Sequence, residues 1–110
     1  MDPSEVPCAT TADLRDDVVL LDVREPGEWT VGHAPGALHI PMGDVPARFA
    51  ELPEGADVIV VCHGGGRSSR VTAWLHDQGY SCRNLTGGML AYAAAGLPMA
   101  SENGETPRVD

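Results

Sequence analysis

Two stretches of the chain are aliphatic without polar alternation, and with two shorter strand-like stretches they alternate with stretches whose apolar residues recur at helical spacing. Val18-Val19-Leu20-Leu21-Asp22-Val23 and Val58-Ile59-Val60-Val61 show no in-out alternation, the pattern of strands buried on both faces of a parallel sheet. Ala37-Leu38-His39-Ile40 is a shorter strand, preceded by the turn His33-Ala34-Pro35-Gly36 and ended by Pro41, and residues 80–85 form another. Between them, Glu25-Pro26-Gly27-Glu28-Trp29 breaks the first strand and begins a short helix. Residues 44–52 place Val45, Phe49 and Leu52 at helical spacing and predict a helix closed by Pro53-Glu54-Gly55. A longer helix runs from Arg67 to about Gln78 with Val71, Trp74 and Leu75 on one face and Gly79 as its stop, and a last one covers residues 89–95 after Gly87-Gly88. Strands alternating with helices predict an α/β domain with a mainly parallel sheet.

The two ends lack this order. Residues 1–9 carry Pro3 and Pro7 and no periodicity, and are expected to be a flexible lead-in. Thr10 or Thr11 is placed to cap a first helical turn at Ala12-Asp13-Leu14. From Ser101 to Asp110 no apolar anchor recurs, which predicts a disordered tail and a folded domain over residues 10–100. A length of 110 residues suits one domain with one core, and no internal repeat is present.

Composition narrows the function. An apolar share of 43% is that of an ordinary globular chain, and no apolar run reaches the roughly 20 residues that span a bilayer. The acidic start Met1-Asp2-Pro3-Ser4-Glu5 is unlike a secretory leader, so a cytoplasmic protein is expected, with no membrane partner. A net charge of -9 argues against nucleic acid as a partner. Three cysteines, Cys8, Cys62 and Cys82, make no CxxC pair and no ligand set with the four histidines, so reduced thiols and no metal are expected.

The chemistry concentrates where the strongest strand ends: Cys62-His63-Gly64-Gly65-Gly66-Arg67-Ser68. The carboxyl end of a parallel strand is where open α/β sheets place ligands. Three glycines let successive amide N–H groups turn inward as an anion-binding nest, the following helix adds its N-terminal amides, and Arg67 and Arg70 add charge. A thiol among such donors has a lowered pKa, and the thiolate is the nucleophile. The acidic surface does not forbid an anionic substrate, because at physiological salt charges are screened beyond about 8 Å.

These residues, with others in order along the chain, resemble the rhodanese family over roughly residues 10–98. The matching pieces are Leu21-Asp22-Val23-Arg24-Glu25, Gly32-His33-Ala34-Pro35-Gly36-Ala37, Ile40-Pro41, Val61 to Ser68, and Leu85-Thr86-Gly87-Gly88-Met89. The resemblance implies a rhodanese-like α/β fold, a central mainly parallel five-stranded sheet with helices on both faces. It implies a sulfurtransferase without cofactor, with Cys62 as the sulfur-accepting residue and His63, Gly64, Gly65, Gly66, Arg67 and Ser68 as the loop around the substrate anion. The implied partners are a small sulfur-containing anion such as thiosulfate, or a persulfide donor, with cyanide, a thiol or a protein as acceptor. A monomer or weak homodimer is expected. Four residues separate Cys62 from Arg67, where related phosphatases have five, which favours sulfur over phosphate. His63 stands where the family often has a basic residue, and Tyr92 where it often has tryptophan.

Other residues carry quieter expectations. Asp22 and Arg24 are read as supporting polar contacts near the site, and Arg67 as either a loop brace paired with an acid or a substrate contact. Glu25 and Glu28 are expected to be solvated or capping, His33 and His39 hydrogen-bonded, His76 exposed, and Cys82, Trp29 and Trp74 part of the core. Cys8 is weighed as a thiol that could resolve a persulfide. The competing functions are a non-catalytic binding module and a phosphatase or arsenate reductase.

Overall fold

The computed structural model describes all residues from Met1 to Asp110. Five strands, β1 (Cys8–Ala9), β2 (Val18–Asp22), β3 (Leu38–His39), β4 (Asp57–Val61) and β5 (Arg83–Leu85), form one sheet in the order β1-β5-β4-β2-β3. Every pairing is parallel, and β4 lies at the centre with Leu21 opposite Val60 and Asp22 opposite Val61. The uninterrupted aliphatic runs are explained by this position. Successive side chains point to opposite faces, and both faces are covered.

Leu21, Val58 and Val60 pack on one side with Val71 and Leu75 of α3 (Gly66–Asp77) and Val45 of α2 (Val45–Arg48). Leu20, Ile59 and Val61 face the other side, against Met89 and Tyr92 of α4 (Gly88–Ala94). A shorter helix, α1 (Pro26–Val31), follows β2. It begins with a capping box in which Glu28 accepts from the Glu25 amide at 3.0 Å. No helix is long and apolar enough to cross a membrane.

Four expectations change. The N-terminal segment is not a loose lead-in: Cys8 and Ala9 pair with Asn84 and Leu85 as the edge strand β1, and Val6 and Ala9 are buried. Two residues are too few to show a periodicity, so the sheet, not the local pattern, defines this strand. Residues 44–52 are not one helix but a single α-helical turn, α2, flanked by 3-10 turns at Met42–Asp44 and Phe49–Glu51. Pro46 in its first turn has no amide hydrogen to extend a helix from upstream. The strand expected at 80–85 shortens to Arg83–Leu85, because the Tyr80 amide is spent on the Leu75 carbonyl at 2.9 Å as α3 closes.

The fourth change concerns residues 101–110, which fold back on α1. The amides of Glu102 and Arg108 donate to the carbonyls of Thr30 and Val31 at 2.8 and 3.0 Å, meeting acceptors that a helix C-terminus leaves open. Ala100 bridges His33 in antiparallel fashion, and Val109 packs against the second core cluster.

Candidate functional site

Strand β4 delivers Cys62 to the sheet's carboxyl edge, and the chain then turns through His63, Gly64 and Gly65 into α3. Cys62 is 1% exposed, and its sulfur lies at the base of this loop. The Gly65 amide donates to Cys62 Sγ at 3.1 Å, and the Ser68 hydroxyl lies 3.2 Å from it. Gly65 holds φ +119, a conformation that a side chain would oppose, and that twist turns its amide onto the sulfur.

Burial by itself raises the Cys62 pKa. The Ser68 hydroxyl and the backbone amides of Ser68, Gly65 and Arg67 outweigh it, and the thiol ends below its ordinary value of 9.0. Ser68 has one hydroxyl proton and two acceptors, Cys62 Sγ and the Gly65 carbonyl, both at 3.2 Å. A negative sulfur draws that proton, since hydrogen bonds to charged acceptors are the stronger ones. Cys82 is the contrast. It is buried without such donors, apart from a weak Thr72 contact, and burial pushes its thiol up to about 11.

The remaining loop residues divide by what they touch. Gly64 and Gly66 carry no side chain, and a Cβ at either would meet no atom within 4 Å. The His63 carbonyl accepts from Leu90 N at 3.1 Å, and its ring Nδ1 is buried without a partner. Arg67 turns away from the sulfur to Glu28 of α1, Nη1 to Oε1 at 2.7 Å and Nη2 to Oε2 at 2.9 Å. The brace expected of Arg67 is therefore present, and Glu28 is an ion-pair partner as well as a cap.

Asp22 and Arg24, buried at 1% and 0% exposure, form a second two-armed pair at the end of β2. Arg24 Nε donates to Asp22 Oδ1 at 3.0 Å and Nη2 to Oδ2 at 2.8 Å, while Nη2 also reaches the Gly32 carbonyl at 2.7 Å. Neither side chain hydrogen-bonds the sulfur. The pair ties β2 to the end of α1, and the Val23 amide on the same stretch donates to Val61 beside Cys62 at 3.0 Å.

Several residues around the site lie where sequence patterns alone do not put them. Met89 N donates to the Cys62 carbonyl at 2.8 Å, so the start of α4 sits directly on the loop backbone. A Cβ on Gly88 would lie 2.5 Å from the carbonyl oxygens of both Cys62 and His63. Asn84 on β5 reaches the Gly65 carbonyl at 3.5 Å. Gly87-Gly88 was visible as a turn, but its role as a spacer against the loop was not. His76, expected to be exposed, is half-buried with Nε2 2.8 Å from the Cys82 carbonyl. Trp29 stacks between His33 and His39, with ring centroids 3.6 and 4.6 Å away, and both histidines are hydrogen-bonded as expected. No cluster of three or more His, Cys, Asp or Glu side chains is arranged to hold a metal.

Comparison with known proteins agrees with this geometry. A family profile described as Rhodanese-like domain matches residues 10–95. A protein named sulfurtransferase from Allochromatium vinosum is 42% identical over 81% of this chain and 84% of its own. The putative sulfurtransferase YtwF of Bacillus subtilis is 36% identical over 76% of this chain and 81% of its own. Among solved structures, a rhodanese-related protein from Thermoplasma volcanium superposes with a TM-score of 0.80 at 26% identity, covering 86% of this chain and 97% of that one.

Proposed function

The chain belongs to the rhodanese-like domain family, and from that premise we propose that it is a sulfurtransferase carrying a sulfane sulfur as a persulfide on Cys62. The observation that carries this reading is the set of donors on Cys62 Sγ, which favours a thiolate at the base of the glycine loop. The Cys62 thiolate attacks the outer sulfur of thiosulfate, the sulfur–sulfur bond breaks, and sulfite leaves with the bonding electrons. Cys62 is left as a persulfide anion, held by the same amides and hydroxyl that held the thiolate. Cyanide or a thiolate then attacks the outer sulfur, and Cys62 leaves as thiolate, so no external oxidant or reductant is consumed.

His63, Gly64, Gly65, Gly66, Arg67 and Ser68 form the substrate loop in this reading. Gly65 and Ser68 stabilise the charge on sulfur. Arg67 holds the loop to Glu28, and Asp22 and Arg24 keep the end of β2 in place. Because Gly64 and Gly66 offer no side-chain contacts, thiosulfate is expected to be a modest donor and an organic or protein persulfide a better one. Three free thiols fit a reducing compartment such as the cytoplasm.

The test is the intact mass of the reduced protein before and after thiosulfate or a persulfide donor, with Cys62→Ser alongside. The parent is expected to gain one sulfur that cyanide removes as thiocyanate, and the variant to gain none. If the folded parent gains no sulfur from either donor, the transferase reading is wrong and a binding module replaces it. Hydrolysis of a chromogenic phosphate ester would point to a phosphatase instead.

A further inference from the structure

Beside the loop, an apolar groove of about 250 Å³ runs between α3 and the segment that carries α2. Its walls are Met42, Val45 and Pro46 on one side and Val71 and Trp74 on the other, and Arg70 stands at its rim. Cys62 is not among the residues that line the groove, but two of its wall residues back onto the same core as the cysteine. Val45 and Val71 share a packed cluster with Cys62, and the Met42 amide donates to the Val23 carbonyl at 2.9 Å. Ser68, which touches the sulfur, precedes Arg70 and Val71 by less than one helical turn of about 5.4 Å.

Arg70 differs from every other cation of the chain. The seven basic side chains are all arginines. Arg15, Arg24, Arg48, Arg67, Arg83 and Arg108 each have an acidic partner within 4.0 Å, and Arg70 has none. In a protein of net charge -9, an exposed arginine left without a carboxylate at the mouth of an apolar groove is complementary to an anion with an apolar body. Thiosulfate and cyanide have no such body and need only the loop.

We propose that the groove receives a small organic thiol acceptor, its apolar chain lying along Met42, Val45 and Trp74 and its carboxylate paired with Arg70. This rests on the sulfurtransferase reading of Cys62 and names the class of acceptor. The acceptor thiolate attacks the outer sulfur of the Cys62 persulfide, forming its own persulfide while Cys62 leaves as thiolate.

The probes are 6-mercaptohexanoate and 6-mercaptohexanol, which share a chain and a thiol of similar basicity and differ at the far end. With persulfide-loaded protein, KM for the acid is expected to be about fivefold below that for the alcohol, the range of one exposed ion pair. Arg70→Gln is expected to abolish that preference and Arg70→Glu to reverse it. Equal KM values in the parent, or a preference that survives Arg70→Gln, overturns the proposal while cyanide discharge still supports the transferase reading. A binding arm stands apart from turnover: hexanoate is expected to shift the Trp74 indole NMR signal more than hexanol does, and only with Arg70 present. Absence of that shift overturns the groove assignment whether or not Cys62 transfers sulfur.

Discussion

Glu28 of α1 and Arg67 of α3 are 39 positions apart in the chain and meet as a two-armed ion pair with contacts of 2.7 and 2.9 Å. The pair fastens the helix after β2 to the first turn of the helix that follows the Cys62 loop. It is partly shielded, with side-chain exposures of 30% for Arg67 and 23% for Glu28.

The hydrogen bond from Arg67 is the main cause that holds the Glu28 carboxyl at about 2 against an ordinary 4.5. A folded-state pKa below the unfolded one stabilises above the unfolded value, and that stability is lost as pH falls from about 4.5 towards 2. Allowing for screening at this partly exposed site, Glu28→Gln is expected to lose on the order of 1–2 kcal/mol at pH 7. The gap from the parent should close near pH 2. Urea unfolding at both pH values measures it, and a gap independent of pH would mean that the pair's charge is not what matters.

Ser68→Ala removes the side-chain donor on Cys62 Sγ and leaves the Gly65 amide in place. The Cys62 pKa is expected to rise towards the ordinary thiol value. The pH profile of alkylation by iodoacetamide should therefore move to higher pH, and sulfur uptake at neutral pH should slow. Ser68→Thr, which keeps a hydroxyl, should restore part of the shift. An unmoved profile in Ser68→Ala would assign the lowered pKa to the backbone amides alone.

Gly88→Ala places a Cβ against the carbonyl oxygens of Cys62 and His63 at a residue with φ +56. Either the loop or the start of α4 has to move, and a loss of roughly 2–4 kcal/mol is expected. Thermal unfolding reads that loss. Persulfide formation on the protein that remains folded should fall with it, because the Met89 amide and the Cys62 carbonyl no longer meet. A variant with parental stability and uptake would show that the contact is easily relieved.

Removing residues 101–110 leaves the Thr30 and Val31 carbonyls without the Glu102 and Arg108 amides and His33 without Glu102. Those contacts, less the entropy of ordering the segment, are expected to contribute about 1–3 kcal/mol. Denaturant unfolding of the shortened chain tests this. Unchanged stability would mean that the segment lies on α1 without supporting it.

The sequence by itself determined the α/β alternation, the doubly buried central strands and the position of Cys62 at the end of the strongest one. These are legible because periodicity, proline, glycine and strand-end chemistry act over a few neighbouring residues. It also marked Gly65 and Ser68 as loop members, although not which of them touches the sulfur. Only the tertiary structure decided that Cys8 and Ala9 make a strand, that Glu28 holds Arg67, that Gly88 spaces α4 from the loop and that the last ten residues lie on α1. Each of these depends on a pair of segments remote in the chain. The free energy of such a contact belongs to the pair, and neither partner carries a local pattern that announces the other.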